Sequence, residues 1–310
     1  MRQFSTKLAV IVVLLLASLG VGLFLFAGLF DEGEAPVAPP PPEIAQMERS
    51  LTLTRETIGT SAYGRKIERY TYLPVKAGQG GGKHIVFVGG IHGGYEWNSV
   101  LLAYRFMDYL DENPEVVPLD LTVTVIPSAN PDGVYAVVGK EGRFDASDVS
   151  TDKAVLASGR FNQHGVDLNR NFDCKWKPKS MWQSKEVSAG SAPFSEPEAA
   201  AIRDFILAER PDAVVFWHSA ANAVYASECK NGILPVTLDV MNAYAGASGY
   251  NAVKTFDSYE VTGDAEGWLA SVGIPAVTVE LKTHENVEWE RNLRGIKALF
   301  GRFGPKEEVL

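Results

Sequence analysis

The sequence predicts an α/β layer fold with a largely parallel central sheet, on three observations. Short apolar runs that stop at glycine, as His84 to Val88 does before Gly89 and Gly90, have the length and abrupt close of strands buried on both faces. Between them lie stretches whose apolar residues recur three and four apart, the period of an amphipathic helix. The two kinds alternate along the chain with no internal repeat, and that alternation suits parallel strands, because each needs a long crossover before the next.

The first 43 residues stand apart from this pattern. Leu8 to Phe30 is a run of 23 residues without a charge, and as a helix it would be roughly 35 Å long, more than the ~30 Å hydrocarbon layer of a bilayer. A cleaved signal peptide is the competing reading, but its apolar region is only about 7 to 15 residues long and ends in a small-x-small site. Neither cysteine is near enough to carry a lipid. Arg2 and Lys7 precede the run and Asp31, Glu32 and Glu34 follow it, so the positive-inside bias leaves residues 1 to 7 in the cytoplasm and the rest outside. We therefore expect a single-pass anchor over residues 1 to 30 and an extracytoplasmic domain. Residues 31 to 43, with Pro36 and Pro39 to Pro42, form an acidic, extended spacer, and the folded domain runs from Ile44 to residue 310.

Within that domain, alternation in Leu51 to Thr57 and Ile67 to Tyr72 around the turn-prone Gly59 to Gly64 predicts a hairpin at a sheet edge. His84 to Val88 is a strand, Glu96 to Tyr109 a helix and Leu121 to Pro127 a strand. Ser195 to Leu207 is a helix that Ser195 can cap, with Glu196 and Glu198 in its first turn. Ala213 to Trp217 is a buried strand, Val236 to Tyr250 a helix, Ile274 to Leu281 a strand, and Val287 to Phe303 a closing amphipathic helix.

The net charge of −9 argues against a nucleic-acid partner, which needs concentrated Lys and Arg. Five histidines and two cysteines leave few metal ligands, so their positions are informative. In G-G-I-H-G-G-Y-E-W-N, His92 and Glu96 lie four apart where a strand gives way to a helix, and both could reach one cation. I-P-S-A-N-P-D-G, at 126 to 133, closes another strand and by itself reads as a generic turn. R-F-N-Q-H-G-V-D-L-N-R-N-F holds Arg160, Asn169 and Arg170 in a polar, turn-rich stretch, and two guanidiniums suit a carboxylate. F-W-H-S puts His218 at the end of a buried strand, where open α/β sheets place ligands. T-V-E-L puts Glu280 inside a strand, where a carboxylate is costly unless paired, metal-bound or functional.

At these five motifs, in this order over most of residues 50 to 305, the sequence resembles the carboxypeptidase A family of zinc metallopeptidases, especially the smaller bacterial members that process cell-wall peptides. G-V-D-L-N-R-N-F is the most specific of them. The resemblance implies a three-layer α/β/α fold with a mixed, largely parallel twisted sheet, one Zn2+ per chain, and hydrolysis of the C-terminal peptide bond of peptides with a free C-terminal carboxylate. It makes His92, Glu96 and His218 the zinc ligands, Asp132 the carboxylate that orients His92, and Arg160 the oxyanion stabiliser. Asn169 and Arg170 match the pair that binds the terminal carboxylate, Tyr259 the residue that closes over it, and Glu280 the general base. Glu266, seven positions after Tyr259, falls at the base of the side-chain pocket and would select a cationic C-terminal residue, unless Asp264 or Glu260 fills that place.

In one respect the chain departs from the family. Three residues, Gly93, Gly94 and Tyr95, separate His92 from Glu96 where the family has two; unless the glycines absorb the extra residue, Glu96 points away.

Desuccinylase and aspartoacylase-type deacylases share the zinc core but lack N-R-N-F together with the tyrosine and T-V-E-L. A catalytically inactive binding module is a second alternative, though every chemical position is filled. No G-x-S-x-G occurs, so a serine-hydrolase reading is set aside. Cys174 follows Arg170 by four residues and Cys229 follows His218 by eleven, so both leave the same edge of the sheet. An oxidising compartment permits a bond between them; two free thiols are the alternative.

Overall fold

The computed structural model describes residues 50 to 74 and 82 to 304. The anchor and spacer expected over residues 1 to 43 lie outside the described residues. Among the described residues, no helix is long and apolar enough to cross a membrane.

In chain order the elements are β1 (Leu51–Thr60), β2 (Lys66–Pro74), β3 (Lys83–Val88), α1 (Trp97–Glu112), β4 (Leu121–Ile126), α2 (Pro131–Val138), α3 (Lys153–Ser158), β5 (Lys179–Trp182), β6 (Lys185–Ser188), α4 (Pro197–Glu209), β7 (Ala213–Ser219), β8 (Ala223–Ala226), β9 (Glu228–Cys229), β10 (Gly232–Ile233), α5 (Pro235–Ser248), β11 (Asn251–Val253), α6 (Ala265–Ser271), β12 (Ala276–Leu281) and α7 (Trp289–Phe303). Eight strands form one sheet in the order β1-β2-β4-β3-β7-β12-β8-β11. The central β4, β3, β7 and β12 are mutually parallel, while β2 and β8 join them antiparallel. The sheet is thus mixed with a parallel centre, and the expected hairpin is β1 and β2 at its edge.

Side-chain parity along the central strands builds two cores. Ile85, Phe87, Val215, Trp217, Val277 and Val279 face a layer that includes Phe106 of α1, Tyr244 of α5 and Leu299 of α7. Val86, Val88, Val214, Phe216 and Ala276 face the other way, against Ile202 and Phe205 of α4 and Leu269 of α6. Because successive residues of a strand point to opposite faces, His218 shares the α4 and α6 side with Phe216, and Glu280 shares it with Ala276. Burial on both faces is why these strands read as unbroken apolar runs.

From β3 the chain moves outward to β4 and then returns to set β7 on the other flank of β3. That reversal opens a crevice beyond the C-terminal ends of β3 and β7, the usual ligand position in such sheets.

Local departures from the expected elements have identifiable causes. N-P-D-G is not a bare turn: Pro131 opens α2, and Asn130 Oδ1 caps it by accepting from Gly133 N at 2.9 Å. Ser195 does not cap α4; Glu196 holds that position, and Ser195 Oγ donates to Glu196 Oε1 at 2.9 Å. The β5–β6 hairpin, α3, α6 and β8 have no forecast in the sequence, being four to seven residues long and so too short to display a period.

Candidate active site

His92 leaves β3 through Gly89 and Gly90, and one 3-10 turn, Gly93–Glu96, connects it to α1. Gly93 has φ +48°, and a Cβ there would meet Gly159 O at 2.4 Å and Gly133 Cα at 2.8 Å. Only glycine fits that backbone, and the tight turn absorbs the extra residue between His92 and Glu96. The Glu96 side chain consequently folds back: its Oε1 lies 2.8 Å from His92 Nδ1 and its Oε2 3.0 Å from His218 Nδ1. The two Nδ1 atoms are 3.2 Å apart.

The three side chains are buried and form the one group of metal-capable donors found among the described residues. Ligand atoms around a tetrahedral ion with bonds near 2.0 to 2.2 Å lie roughly 3.3 Å from one another; here the donor atoms, taken one per residue, lie within 4.8 Å of one another, a cluster that a bound ion can draw together. Glu96 Oε2 is buried without a hydrogen bond. Two imidazole nitrogens and one carboxylate are the donor types zinc takes in hydrolytic sites, so the residues present fit the ion that the resemblance implies.

The electrostatics are those of a cation site filled by its own protons. Burial opposes the Glu96 charge, yet His92 and His218 outweigh it and hold its carboxyl well below the ordinary range. Burial likewise opposes a charge on His218, but Glu96 and Glu266 raise that imidazole well above its usual value.

Glu280 pairs in register with His218 across the parallel β7 and β12, so the two side chains are neighbours on one face. Burial first, and then the Glu96 charge, push its carboxyl up to about 8. Its Oε2 is buried with no hydrogen-bond partner. Arg160 is buried, with its Cζ 4.6 Å from the ring centre of Trp182 and 5.8 Å from that of Tyr95. Its Nε donates to Asp167 Oδ2 at 2.9 Å and its Nη2 lies 2.8 Å from the same oxygen, which leaves Nη1 3.8 Å from Glu96 Oε1.

Asn169 is oriented by the Ala265 N–H, which donates to its Oδ1 at 2.8 Å, so its amide NH2 remains for a ligand. Arg170 donates to the carbonyls of Met181 and Asn169 and keeps further N–H groups. Tyr259 packs edge-on against Phe256 at 4.8 Å. All these residues line one open cavity of about 550 Å³.

Two expected roles are not where the resemblance put them. Asp132 does not touch His92: it accepts from Ser61 Oγ, Tyr63 N and Arg65 NH1 at 2.8, 3.0 and 2.7 Å, tying the β1–β2 turn to α2. Asp167 takes the expected place, with Oδ1 3.4 Å from His92 Nε2. Burial disfavours its charge, but Arg160, Arg170 and His92 hold it below the usual carboxylate range. The signal was available, since Asp167 sits two residues before Asn169 in the most specific motif.

Glu266 lines the cavity but is not a free carboxylate at its floor; its Oε1 lies 3.1 Å from His218 Nε2 and accepts from Thr278 Oγ1 at 3.0 Å. Parity explains this, because His218 and Thr278 both face α6, which begins at Ala265. Asp264 caps α6 by accepting from Gly267 N at 2.7 Å, and Glu260 pairs with Lys177 at 2.7 Å, so neither alternative is unpaired.

Each imidazole thus has a carboxylate facing its other nitrogen, hydrogen-bonded at His218 Nε2 and 3.4 Å away at His92 Nε2, which makes no hydrogen bond. Such partners orient the ring and raise ligand basicity. Asp167→Asn and Glu266→Gln should each weaken metal affinity by about 10 to 100-fold, the usual effect of losing such a partner. Asp132→Asn should leave metal affinity unchanged and lower the unfolding temperature. Competition titration with a chromophoric chelator reads the first effect and thermal unfolding the second; a large affinity loss in Asp132→Asn would reverse the assignment.

Cys174 and Cys229 are bonded, with Cα atoms 6.0 Å apart and 55 residues of separation. The bond ties the loop after N-R-N-F to β9 at the cavity wall. A Cys174→Ser, Cys229→Ser double variant should lose about 4 kcal/mol by the chain-entropy relation. Denaturant midpoints measure this, and a loss under about 1 kcal/mol would show the crosslink constrains little.

The zinc carboxypeptidase family model matches residues 43 to 294. Among curated proteins, the chain is 25% identical over 177 residues to gamma-D-glutamyl-L-diamino acid endopeptidase 1 of Lysinibacillus sphaericus, covering 53% of this chain and 43% of that protein. It is 31% identical over 159 residues to carboxypeptidase B of Astacus astacus, covering 49% of this chain and 48% of that one. The chain therefore spans somewhat under half of each of these relatives. Among solved structures, murein-tripeptide amidase MpaA from Escherichia coli O157 superposes with a TM-score of 0.57 at 21% identity, over 83% of this chain and 95% of that one. Thrombin-activatable fibrinolysis inhibitor gives 0.65 at 18% identity, over 81% and 69%. At these identities the structural likeness is one of fold.

Proposed function

Since the chain belongs to the zinc carboxypeptidase family, we propose that it is a zinc-dependent carboxypeptidase that hydrolyses the C-terminal peptide bond of peptides. The observation that carries this reading is the buried Glu280, with one oxygen unpartnered, on the strand beside His218 and the three converging donors. His92, Glu96 and His218 would hold the zinc, which when bound supplies an acidified water and polarises a carbonyl.

The chain's own residues do the rest. Glu280 accepts the proton of the attacking water and returns it to the departing amine, work for which a carboxyl raised towards neutrality is suited. Arg160 faces the negative charge that builds on the carbonyl oxygen, its guanidinium held in place by Asp167 and Trp182. Asn169 and Arg170 receive the terminal carboxylate, and Tyr259 closes over it. With Glu266 engaged by His218 and Thr278, a cationic preference at the C-terminal residue does not follow from it.

Cell-wall peptides are the substrate class we propose, supported by the likeness to the L. sphaericus gamma-D-glutamyl-L-diamino acid endopeptidase and the E. coli murein-tripeptide amidase. The apolar segment at 8 to 30 supports a membrane-anchored, extracytoplasmic placement; fractionation with protease added to intact cells would test it. For the activity, full chain should release C-terminal residues from peptides with free carboxyl termini, far less from amidated ones, and none in excess chelator. Cleavage of N-acyl amino acids alone would point instead to a deacylase, and no turnover with zinc bound would point to a binding module.

A further inference from the structure

A histidine outside the proposed machinery also lines the cavity. His284 lies on the loop after β12, four residues beyond Glu280, with its ring centre 4.8 Å from that of Tyr95. Its Nδ1 is 2.7 Å from Ser219 Oγ. Three linked hydrogen bonds decide which ring nitrogen carries the proton.

Asn98 is fully buried, and its Nδ2 lies 2.7 Å from Thr283 O and 3.0 Å from Asn286 O. Only an NH2 can face two carbonyl oxygens, so the amide orientation is fixed and Oδ1 is the acceptor. Ser219 Oγ donates to that Oδ1 at 3.0 Å. A serine has one proton, and spending it on Asn98 leaves Oγ to accept from His284 Nδ1–H. The reverse assignment would strand a buried amide oxygen, at the cost such atoms carry. In the neutral ring, Nε2 therefore bears the lone pair, and no residue among those described bonds to it.

We propose that His284 Nε2 is a substrate-recognition acceptor, receiving a hydrogen bond from the N–H of the residue that contributes the scissile carbonyl. This rests on the carboxypeptidase reading. The terminal-carboxylate residues are fixed to other elements, Asn169 to α6 and Arg170 to the β5–β6 hairpin. His284 is fixed to α1 through Ser219 and Asn98 and packs on Tyr95, the residue before Glu96. Although Tyr95 in turn meets Trp182 of the hairpin at 5.1 Å, His284 is held by the elements that carry the metal-capable donors and not by those that hold Asn169 and Arg170, which leaves it to the peptide upstream of the cleaved bond. A fixed tautomer gives this position an acceptor that favours peptide N–H and rejects a group without a donor.

The test uses full-length zinc-loaded protein and two N-acyl dipeptides, identical except that the N–H in question is methylated in one. Methylation should lower kcat/KM of the parent about 10-fold, the size of one neutral hydrogen bond, and that of His284→Ala by less than about 2-fold. His284→Gln, which offers an amide oxygen, should recover part of the discrimination, and zinc content should match the parent in both variants. Independently of turnover, nitrogen-15 spectra of the histidine rings, taken well above the ordinary histidine range, should show His284 protonated at Nδ1, and Ser219→Ala should erode that preference. Equal methylation penalties in parent and His284→Ala, or an Nε2–H tautomer in the parent, overturn the proposal while leaving the carboxypeptidase reading intact. A parent that cleaves neither dipeptide overturns that reading and this proposal with it.

Discussion

Glu280→Gln should bind zinc as the parent does and lose about 10² to 10⁴-fold in kcat, the range attributed to a positioned general base. The substitution keeps shape and burial but removes the proton acceptor. Glu280 is outside the three-donor group; its Oε2 is buried without a hydrogen-bond partner and its role is set by adjacency to His218. The pH profile gives a second readout. A base must be ionised to act, so activity should fall as pH drops through the Glu280 pKa; burial and the Glu96 charge push that pKa up to about 8, and a bound dication nearby should pull it lower. The variant should lose this acid limb.

The linkage for the metal-free protein follows from the same shift. Between its ordinary 4.5 and about 8, folded Glu280 holds a proton that the unfolded chain releases. Its contribution is therefore intact below that window and lost as pH rises through it. Chelator-treated parent should lose unfolding temperature across the window more steeply than Glu280→Gln; identical slopes would mean the carboxyl ionises normally. A variant that loses zinc along with activity would make Glu280 a ligand and sink the base assignment.

His92→Ala and His218→Ala should each reduce bound zinc from about one per chain to near zero and bring turnover to the level of chelator-treated parent. Both side chains are buried and contribute one of only three protein donors, and two remaining donors make a poor site for an ion that wants four. Metal uptake by the parent should release protons near neutrality, because His218 is raised well above its usual value and must shed its proton to ligate. Calorimetry in buffers of different ionisation enthalpy measures that release. Full turnover in either variant, or in excess chelator, would remove zinc from the mechanism.

Much of this fold and site is legible in the sequence. The central strands announced themselves because burial on both faces leaves no polar period, and His218 and Glu280 stood out as polar residues inside such runs. The motif carrying Arg160, Asn169 and Arg170 was legible because its density of polar residues has no packing explanation. The flanking pieces were not legible. The β5–β6 hairpin, whose Met181 carbonyl and Trp182 ring hold Arg170 and Arg160, is eight residues of contact and two strands too short for a pattern. Asp132 was assigned from its motif alone, and the turn of β1–β2 that claims it lies about 70 residues away in sequence.

The sequence by itself determined the order of the long central strands and helices, the candidate ligands and base, and the need for a flexible turn between His92 and Glu96, since each depends on residue type and local spacing. The tertiary structure decided which carboxylate serves which histidine, because that depends on strand parity and on the layer a short helix occupies. His218 and Thr278 face α6, so Glu266 binds them instead of standing free at a pocket floor. Asp167 and Asp132 both lie near the site in sequence terms, and only the packing of α2 against the β1–β2 turn sends one to Arg65 and leaves the other to His92.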